Sequence, residues 1–112
     1  MLPKLERRMF QRAEIKWPVA IKTSQGLIEG KTGNLGAGGA YIYCDQTPKH
    51  GELIGLIIKP PDRPSLQITA EVLWKGKVVP PGIGVGFVEI SEDDCQFLYN
   101  VVSNHFKSGY EK

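Results

Sequence analysis

Three arginines near the start of the 112-residue chain have the side chains best suited to binding chemistry, because a guanidinium group pairs with phosphate or with a guanine edge. Arg7, Arg8 and Arg12 fall within six residues. Residues 1–12 carry a net charge of +3 and the whole chain +2, so the positive charge is local. The alternative interpretation is a solvated basic tail without a ligand. The spacing makes this stretch a candidate anion or nucleotide site.

A glycine-rich segment at 34–39, Asn-Leu-Gly-Ala-Gly-Gly, is the second candidate. Three of these six residues are glycines, which suit backbone conformations that other residues rarely adopt. We therefore predict a loop here. Its single amide side chain belongs to Asn34, which can donate and accept hydrogen bonds.

The other reactive residues form no catalytic or metal-binding pattern. His50 and His105 have no partner at ligand spacing and are interpreted as ordinary surface or helix residues. Cys44 and Cys95 lie far apart, so we expect reduced, buried thiols. Residues 26–32 resemble a phosphate loop, but only three residues separate the two glycines and a strand pattern follows. We therefore predict no enzyme, no cofactor and no metal.

The rest of the chain predicts the elements that position these residues. Every second residue from Leu66 to Trp74 is apolar, the pattern of a strand with one buried face, and similar patterns recur along the chain. A serine followed by three acids predicts a helix from about 91 to about 107. Six short strands close most economically into a small barrel. The predicted strands are 14–23, 27–35, 40–44, 52–58, 66–74 and 82–88.

Composition excludes several classes of function. The near-neutral body of the chain lacks the broad basic face that sequence-independent nucleic-acid binding requires. No apolar run reaches the length of a membrane span, and the first residues lack the apolar core of a signal peptide. We therefore expect one cytoplasmic domain that neither enters a membrane nor binds nucleic acid.

Four motifs, in this order, resemble those of the PilZ domain family. The family pattern is RxxxR, then (D/N)xSxxG, then a strand that ends in tryptophan, then GxGVxF before a helix. The corresponding segments are 8–12, with Arg7 directly before it, 34–39, 70–74 and 84–87. Each short motif alone is weak evidence for the family, whereas the ordered set of four covers essentially the whole chain.

The resemblance implies a fold and a ligand. The fold is all-β with one C-terminal helix, a six-stranded antiparallel β-barrel. The ligand is the bacterial second messenger cyclic diguanylate (cyclic di-GMP). By similarity, Arg8 and Arg12 bind its phosphates and guanine edges, Asn34 binds a guanine, and Gly39 leaves room for the ligand.

Two further positions bear on how the ligand is held. Family members with an arginine in the position of Arg7 tend to bind two stacked ligand molecules. Gly36 replaces the serine of the family pattern, so one hydroxyl contact is missing and affinity falls by roughly fivefold. If Gly36 has an ordinary backbone conformation, Gly36→Ser should restore that contact. If Gly36 has a positive φ, serine should instead strain the backbone.

The resemblance also implies a mode of action. We expect residues 1–12 to be a flexible segment that orders over the ligand, and 13–112 to be a single barrel domain. Such a stand-alone receptor signals to an unidentified protein of motility, pilus or surface-polysaccharide machinery. The alternative is a degenerate family member that does not bind cyclic di-GMP and serves only as an interaction adaptor.

Overall fold

The computed structural model describes residues 11–76 and 80–110, and only the backbone for 107–110. Within these ranges the chain forms seven strands followed by one helix. The elements are β1 (Arg12–Ala13), β2 (Pro18–Thr23), β3 (Gly26–Gly36), β4 (Gly39–Cys44), β5 (Leu53–Ile58), β6 (Leu66–Gly76), β7 (Gly82–Glu89) and α1 (Glu92–Tyr110).

Six of the strands close into a barrel. Neighbouring strands pair in the order β3-β2-β5-β6-β7-β4, and β4 pairs back with β3. Every pair is antiparallel. This arrangement confirms the predicted six-stranded antiparallel barrel with a C-terminal helix. Closure gives each barrel strand a partner on both sides, which removes the exposed edges that promote aggregation.

The N-terminal side of the barrel differs from the strand predicted at 14–23. β2 begins at Pro18, where the missing amide hydrogen prevents a further ladder bond. Before it, Thr32 holds the chain by one backbone bond and its side chain. The Thr32 amide donates to the Trp17 carbonyl oxygen at 2.9 Å, and Thr32 Oγ1 accepts from the Trp17 amide at 2.9 Å and donates to the carbonyl oxygen of Ile15. The two-residue strand β1, which the sequence pattern did not predict, pairs Arg12 with Gly36.

The barrel interior is filled by the alternating apolar residues of the strands. In β6, Leu66, Ile68, Ala70 and Val72 are all buried. Trp74, which continues this alternation in the sequence, is instead 50% exposed on the outside. The reason is a bulge between Val72 and Trp74 that shifts the pairing with β7 and reverses the face on which the next side chain lies.

The helix begins as its sequence predicts. Ser91 Oγ accepts a hydrogen bond from the Asp94 amide at 3.1 Å, which is the geometry of an N-cap. Leu98 and Val102 are buried against the barrel end. Phe106, one turn further along the helix, is 37% exposed. Within the described ranges, no helix combines the length and apolarity needed to cross a bilayer.

A cluster around Phe97 joins α1 to the barrel. The Phe97 ring stacks on Trp17, with centroids 6.1 Å apart and an interplanar angle of 19°. On the loop after β5, the Arg63 guanidinium carbon lies 4.0 Å from the Phe97 centroid, and Arg63 Nη2 lies 3.5 Å from Asp94 Oδ1. A stacked ring and a cation–π contact thus help to hold the first half of the helix against the barrel.

This cluster predicts where the helix is sensitive to mutation. Phe97→Ala removes a partly buried ring with two specific contacts and should lower the free energy of unfolding by about 2 kcal/mol. Tyr99→Ala is the matched control, since Tyr99 lies on the same helix but is 37% exposed. This substitution should change the free energy of unfolding by no more than about 0.5 kcal/mol. Chemical denaturation measures both. Equal losses in the two variants would contradict a specific role for the Phe97 cluster.

Candidate functional site

The turn between β3 and β4 brings four of the predicted site residues to one corner of the barrel. Asn34 and Gly36 lie near the end of β3, and Gly39 begins β4. β1 runs beside the end of β3, which places Arg12 directly opposite Gly36. The other two predicted site residues, Arg7 and Arg8, lie outside the described residues. The described corner is therefore built from three chain segments that meet only in the folded state.

The Arg12 side chain lies across this corner. Its Nη1 donates to Asn34 Oδ1 at 3.4 Å. Its Nη2 packs so closely on Gly39 that a Cβ atom there would lie 2.7 Å away. Partial burial lowers the pKa of the Arg12 guanidinium, but the ordinary value is so far above neutral that the group stays charged. The corner thus presents a fixed cation beside an amide, which suits an anion that carries hydrogen-bonding groups.

A bulge at Gly33 turns Asn34 toward the outside of the barrel. Pairing between β3 and β4 shifts between Thr32 and Asn34, so one extra residue is inserted into β3. Thr32 and Leu35 are both fully buried, and the extra residue leaves Asn34 on the outer face. Without the bulge, strict alternation would turn Asn34 inward with Thr32. No feature of the sequence points to this role of Gly33, since one glycine among many carries no distinguishing signal.

Gly36 has an ordinary strand conformation, and its φ is not positive. The reason for glycine is the neighbouring strand: a Cβ atom at Gly36 would overlap the carbonyl oxygen of Gln11 and lie 3.1 Å from Arg12 Cγ. Neither sequence-based account of this position included such a contact. Glycine is needed because β1 passes directly over it.

A groove of about 1160 Å³ extends from this corner along the outside of the barrel. Its lining includes Arg12 and Gly39 from this corner and Ser91, Glu92 and Cys95 from around the start of α1. Asn34 does not line the groove, but its Oδ1 accepts a hydrogen bond from Arg12, which does. Its volume is above the roughly 300–1,000 Å³ typical of sites for one small ligand. The groove therefore has room for a ligand larger than a mononucleotide.

The groove contains no activated nucleophile among the described residues. Burial and the nearby Glu92 carboxylate raise the pKa of the Cys95 thiol, and burial and Asp45 raise that of Cys44. Both thiols are therefore protonated at neutral pH and react poorly. In the same part of the chain, no three His, Cys, Asp or Glu side chains come together as potential metal ligands.

An aromatic cluster lies on the outer face next to Asn34. Tyr41 stacks on Trp74 with centroids 5.2 Å apart and meets Tyr43 edge to face at 5.3 Å. The rings of this cluster lie directly on Gly82 and Gly84. A Cβ atom at Gly82 would lie 2.6 Å from the Tyr41 hydroxyl, and one at Gly84 would overlap the Trp74 indole. Tyr41 and Tyr43 lie two residues apart and therefore share one face of β4, but their spacing does not indicate that Trp74 joins them. Only the β6 bulge brings Trp74 to this side.

The chain is a small closed six-stranded β-barrel with an arginine-bearing strand beside its glycine-rich turn. The PilZ domain profile matches residues 6–103. The chain therefore belongs to the PilZ domain family. No curated protein matches the chain in sequence.

Solved structures share this fold. The inhibitor of motility MotI/DgrA from Bacillus subtilis superposes with a TM-score of 0.82 at 21% identity, over 96% of this chain and 57% of that one. YcgR from Escherichia coli, in complex with c-di-GMP, superposes with a TM-score of 0.78 at 12% identity. The match covers 96% of this chain and 49% of YcgR. The PilZ domain of CeSA from a cellulose-synthesizing bacterium superposes with a TM-score of 0.61 at 19% identity. The match covers 84% of this chain and 96% of that domain. The chain spans about half the length of the first two proteins.

The contact at Gly36 predicts what happens when the family's serine is restored. Gly36→Ser should displace β1, because its Cβ cannot coexist with the Gln11 carbonyl oxygen in the present position. We expect amide hydrogen exchange at Ala13 to accelerate by at least about tenfold, as the β1–β3 pair opens.

Gly55→Ser is the matched control for this prediction. A Cβ there meets only Lys22 Cβ at 3.5 Å, an ordinary contact, so exchange at Ala13 should not change. Unchanged exchange at Ala13 in Gly36→Ser would show that β1 does not depend on this glycine.

Proposed function

We propose that this chain is a cytoplasmic receptor for cyclic di-GMP that binds the nucleotide at the Arg12 corner and passes the signal to a partner protein. The observation that carries the proposal is the Arg12 guanidinium, held on the outer face between Gly39 and the Asn34 amide. A dianion with two guanines suits a fixed guanidinium, a neighbouring amide and a close backbone. The similarity in fold to YcgR, described in complex with c-di-GMP, supports the same ligand here.

Arg7 and Arg8 complete the site in this proposal. They precede Arg12 in the chain and add two positive charges next to a corner that already holds one. The ligand draws residues 1–12 over itself, with Arg8 and Arg12 on phosphates and guanine edges. Arg7 neutralises part of the charge that a second, stacked ligand brings. The groove volume of about 1160 Å³ is consistent with such a pair.

The output is a contact with another protein. The outer face of β5–β7 carries Leu53, Leu73, Trp74 and Val88, each at least 43% exposed. Exposed apolar residues on adjacent strands suit protein contact better than solvent. MotI is described as an inhibitor of motility and the CeSA domain comes from a cellulose-synthesizing bacterium, so motility, pilus and surface-polysaccharide machinery all stay candidate targets. The same face also suits a ligand-free adaptor, and the absence of the serine hydroxyl at Gly36 favours that second function. A titration separates the two.

Isothermal titration with cyclic di-GMP tests the ligand and its arginines. The parent should bind, with two ligands per chain at saturation. Arg8→Ala and Arg12→Ala should each weaken binding by about tenfold or more, because each removes a charge-assisted contact.

Lys16→Ala is the matched control, since it removes one positive charge close in sequence but lies outside the groove, 4.0 Å from Glu14. It should weaken binding by no more than about twofold. A parent that does not bind would favour the ligand-free adaptor. Equal losses in all three variants would mean that charge alone, and not the Arg8 and Arg12 contacts, determines affinity.

Ordering of the N-terminal segment is a separate prediction. Cyclic di-GMP should slow amide hydrogen exchange in residues 1–12, because folding over the ligand removes these amides from solvent. Exchange in the core strand β6 should be unaffected and serves as the internal reference. Unchanged exchange of 1–12 at saturation would contradict the folding-over step while leaving ligand binding intact.

A further inference from the structure

A single carboxylate lies among apolar side chains on the outer face of β5, β6 and β7. It belongs to Glu71, whose neighbours Ala70 and Val72 are fully buried, so strand alternation turns Glu71 outward. Leu53 of β5 pairs with Glu71 on one side, and Gly86 of β7 pairs with it on the other. Residues paired across a sheet share a face, so Leu53 lies beside the carboxylate.

Two irregularities in the pairing of β6 with β7 add further apolar side chains. Leu73 is the unpaired residue of the first, and its Cδ1 lies 3.2 Å from the position of a Cβ atom on Gly86, the glycine opposite Glu71. Val88 is the unpaired residue of the second, two positions beyond Gly86. Leu53, Leu73 and Val88 are all exposed. We call these three residues and Glu71 the Glu71 patch.

The charge of this patch is negative and has no partner in the described part of the chain. Glu71 is partly buried, and neither ion pair formed by residues 11–76 and 80–110 involves it. Glu89, the residue after Val88, adds an exposed second carboxylate beside the patch. A cation brought to Glu71 by a partner that also covers the aliphatic side chains would be shielded from water. Its ion pair would therefore be stronger than one at an open surface.

The patch is continuous with the Arg12 corner. Glu71 pairs with Gly86, Gly86 pairs with Gly39, and Arg12 Nη2 packs on Gly39. Neighbouring strands lie about 4.8 Å apart, so roughly 10 Å separates Glu71 from Gly39. A segment that binds the patch is therefore close enough to respond to a ligand at the corner.

We infer that the Glu71 patch docks a basic and apolar segment of a partner protein, with one Arg or Lys on the Glu71 carboxylate and apolar side chains on the three aliphatic residues. The inference rests on the proposed function in that the output is a protein contact, and it names the chemistry of that partner. An acidic segment would be repelled, and a purely apolar one would bury the carboxylate without a partner.

Peptide selection on the full chain tests this inference. From a library of random peptides displayed on phage, the parent without nucleotide should enrich sequences that carry Arg or Lys between apolar residues. A synthetic peptide of the enriched sequence should bind Glu71→Gln at least about tenfold more weakly, since this variant keeps the shape of the side chain but loses its charge. Enriched peptides without a basic residue, or undiminished binding to Glu71→Gln, would overturn the inference.

A charge reversal gives a second arm. Glu71→Lys should lose the enriched peptide and should bind the same peptide with its basic residue replaced by glutamate, because the pair is then restored with opposite signs. Loss of both peptides would mean that no such pair forms. Glu29→Gln is the matched control, since Glu29 is exposed on β3 and outside the patch. It should weaken peptide binding by no more than about twofold, and a loss equal to that of Glu71→Gln would contradict a specific contact.

Two other occupants give different results, and either would overturn the inference. A second copy of the chain would make the parent a dimer by light scattering and Glu71→Lys a monomer. The chain's own residues 1–10 would exchange their amide hydrogens faster in free Glu71→Lys than in the free parent. A parent that binds cyclic di-GMP but enriches no basic peptide refutes this inference alone. A parent that binds such peptides at Glu71 but no nucleotide supports it and refutes the receptor function.

Discussion

The length of β3 is the constraint on which the site depends. β3 runs from Gly26 to Gly36, but its partner β2 is shorter and their pairing ends where Pro18 faces Lys31. Beyond that point one edge of β3 is open, while the other edge pairs with β4 and closes the barrel. β1 occupies the open edge, which brings Arg12 to the end of β3 and next to the turn into β4. β1 thus pairs with the same edge of β3 as β2, and the stretch 14–17 joins the two strands.

Close backbone approach determines the residue types at this corner. Gly36 accommodates the Gln11 carbonyl, and Gly39 accommodates the Arg12 guanidinium. Each glycine gives up the packing of a side chain in exchange for a contact with β1. The departure from the family's serine at Gly36 therefore has a structural consequence: a hydroxyl is lost, but β1 can lie flat on the barrel before any ligand arrives. In the proposed receptor, such preorganisation would reduce the ordering cost of ligand binding and offset part of the missing contact.

The connection from β1 to β2 links the corner to the helix. Trp17 is tied to Thr32 by its amide and by its carbonyl oxygen, and its ring stacks on Phe97 of α1. Arg12 and Trp17 are therefore held at opposite ends of a short stretch. If Arg12 moves, either the backbone between Ala13 and Lys16 changes conformation or the Trp17 ring shifts against Phe97. The helix is thus the element outside the barrel that is mechanically closest to the Arg12 corner.

The local patterns of the sequence determined the six strands, the serine-capped helix, the family and the set of candidate residues, because alternation, capping and motif spacing depend on near neighbours. Several outcomes were decided only by tertiary structure. The bulges at Gly33 and after Val72 place Asn34 and Trp74 on the outer face, since one inserted residue reverses the side on which the next one lies. The need for glycine at position 36 arises from Gln11, a residue distant in sequence that β1 brings into contact. The same holds for the Asn34 amide, whose orientation depends on Tyr41 across the sheet. Contacts between segments far apart in the chain leave no periodic signal, so they exist only once the barrel has closed.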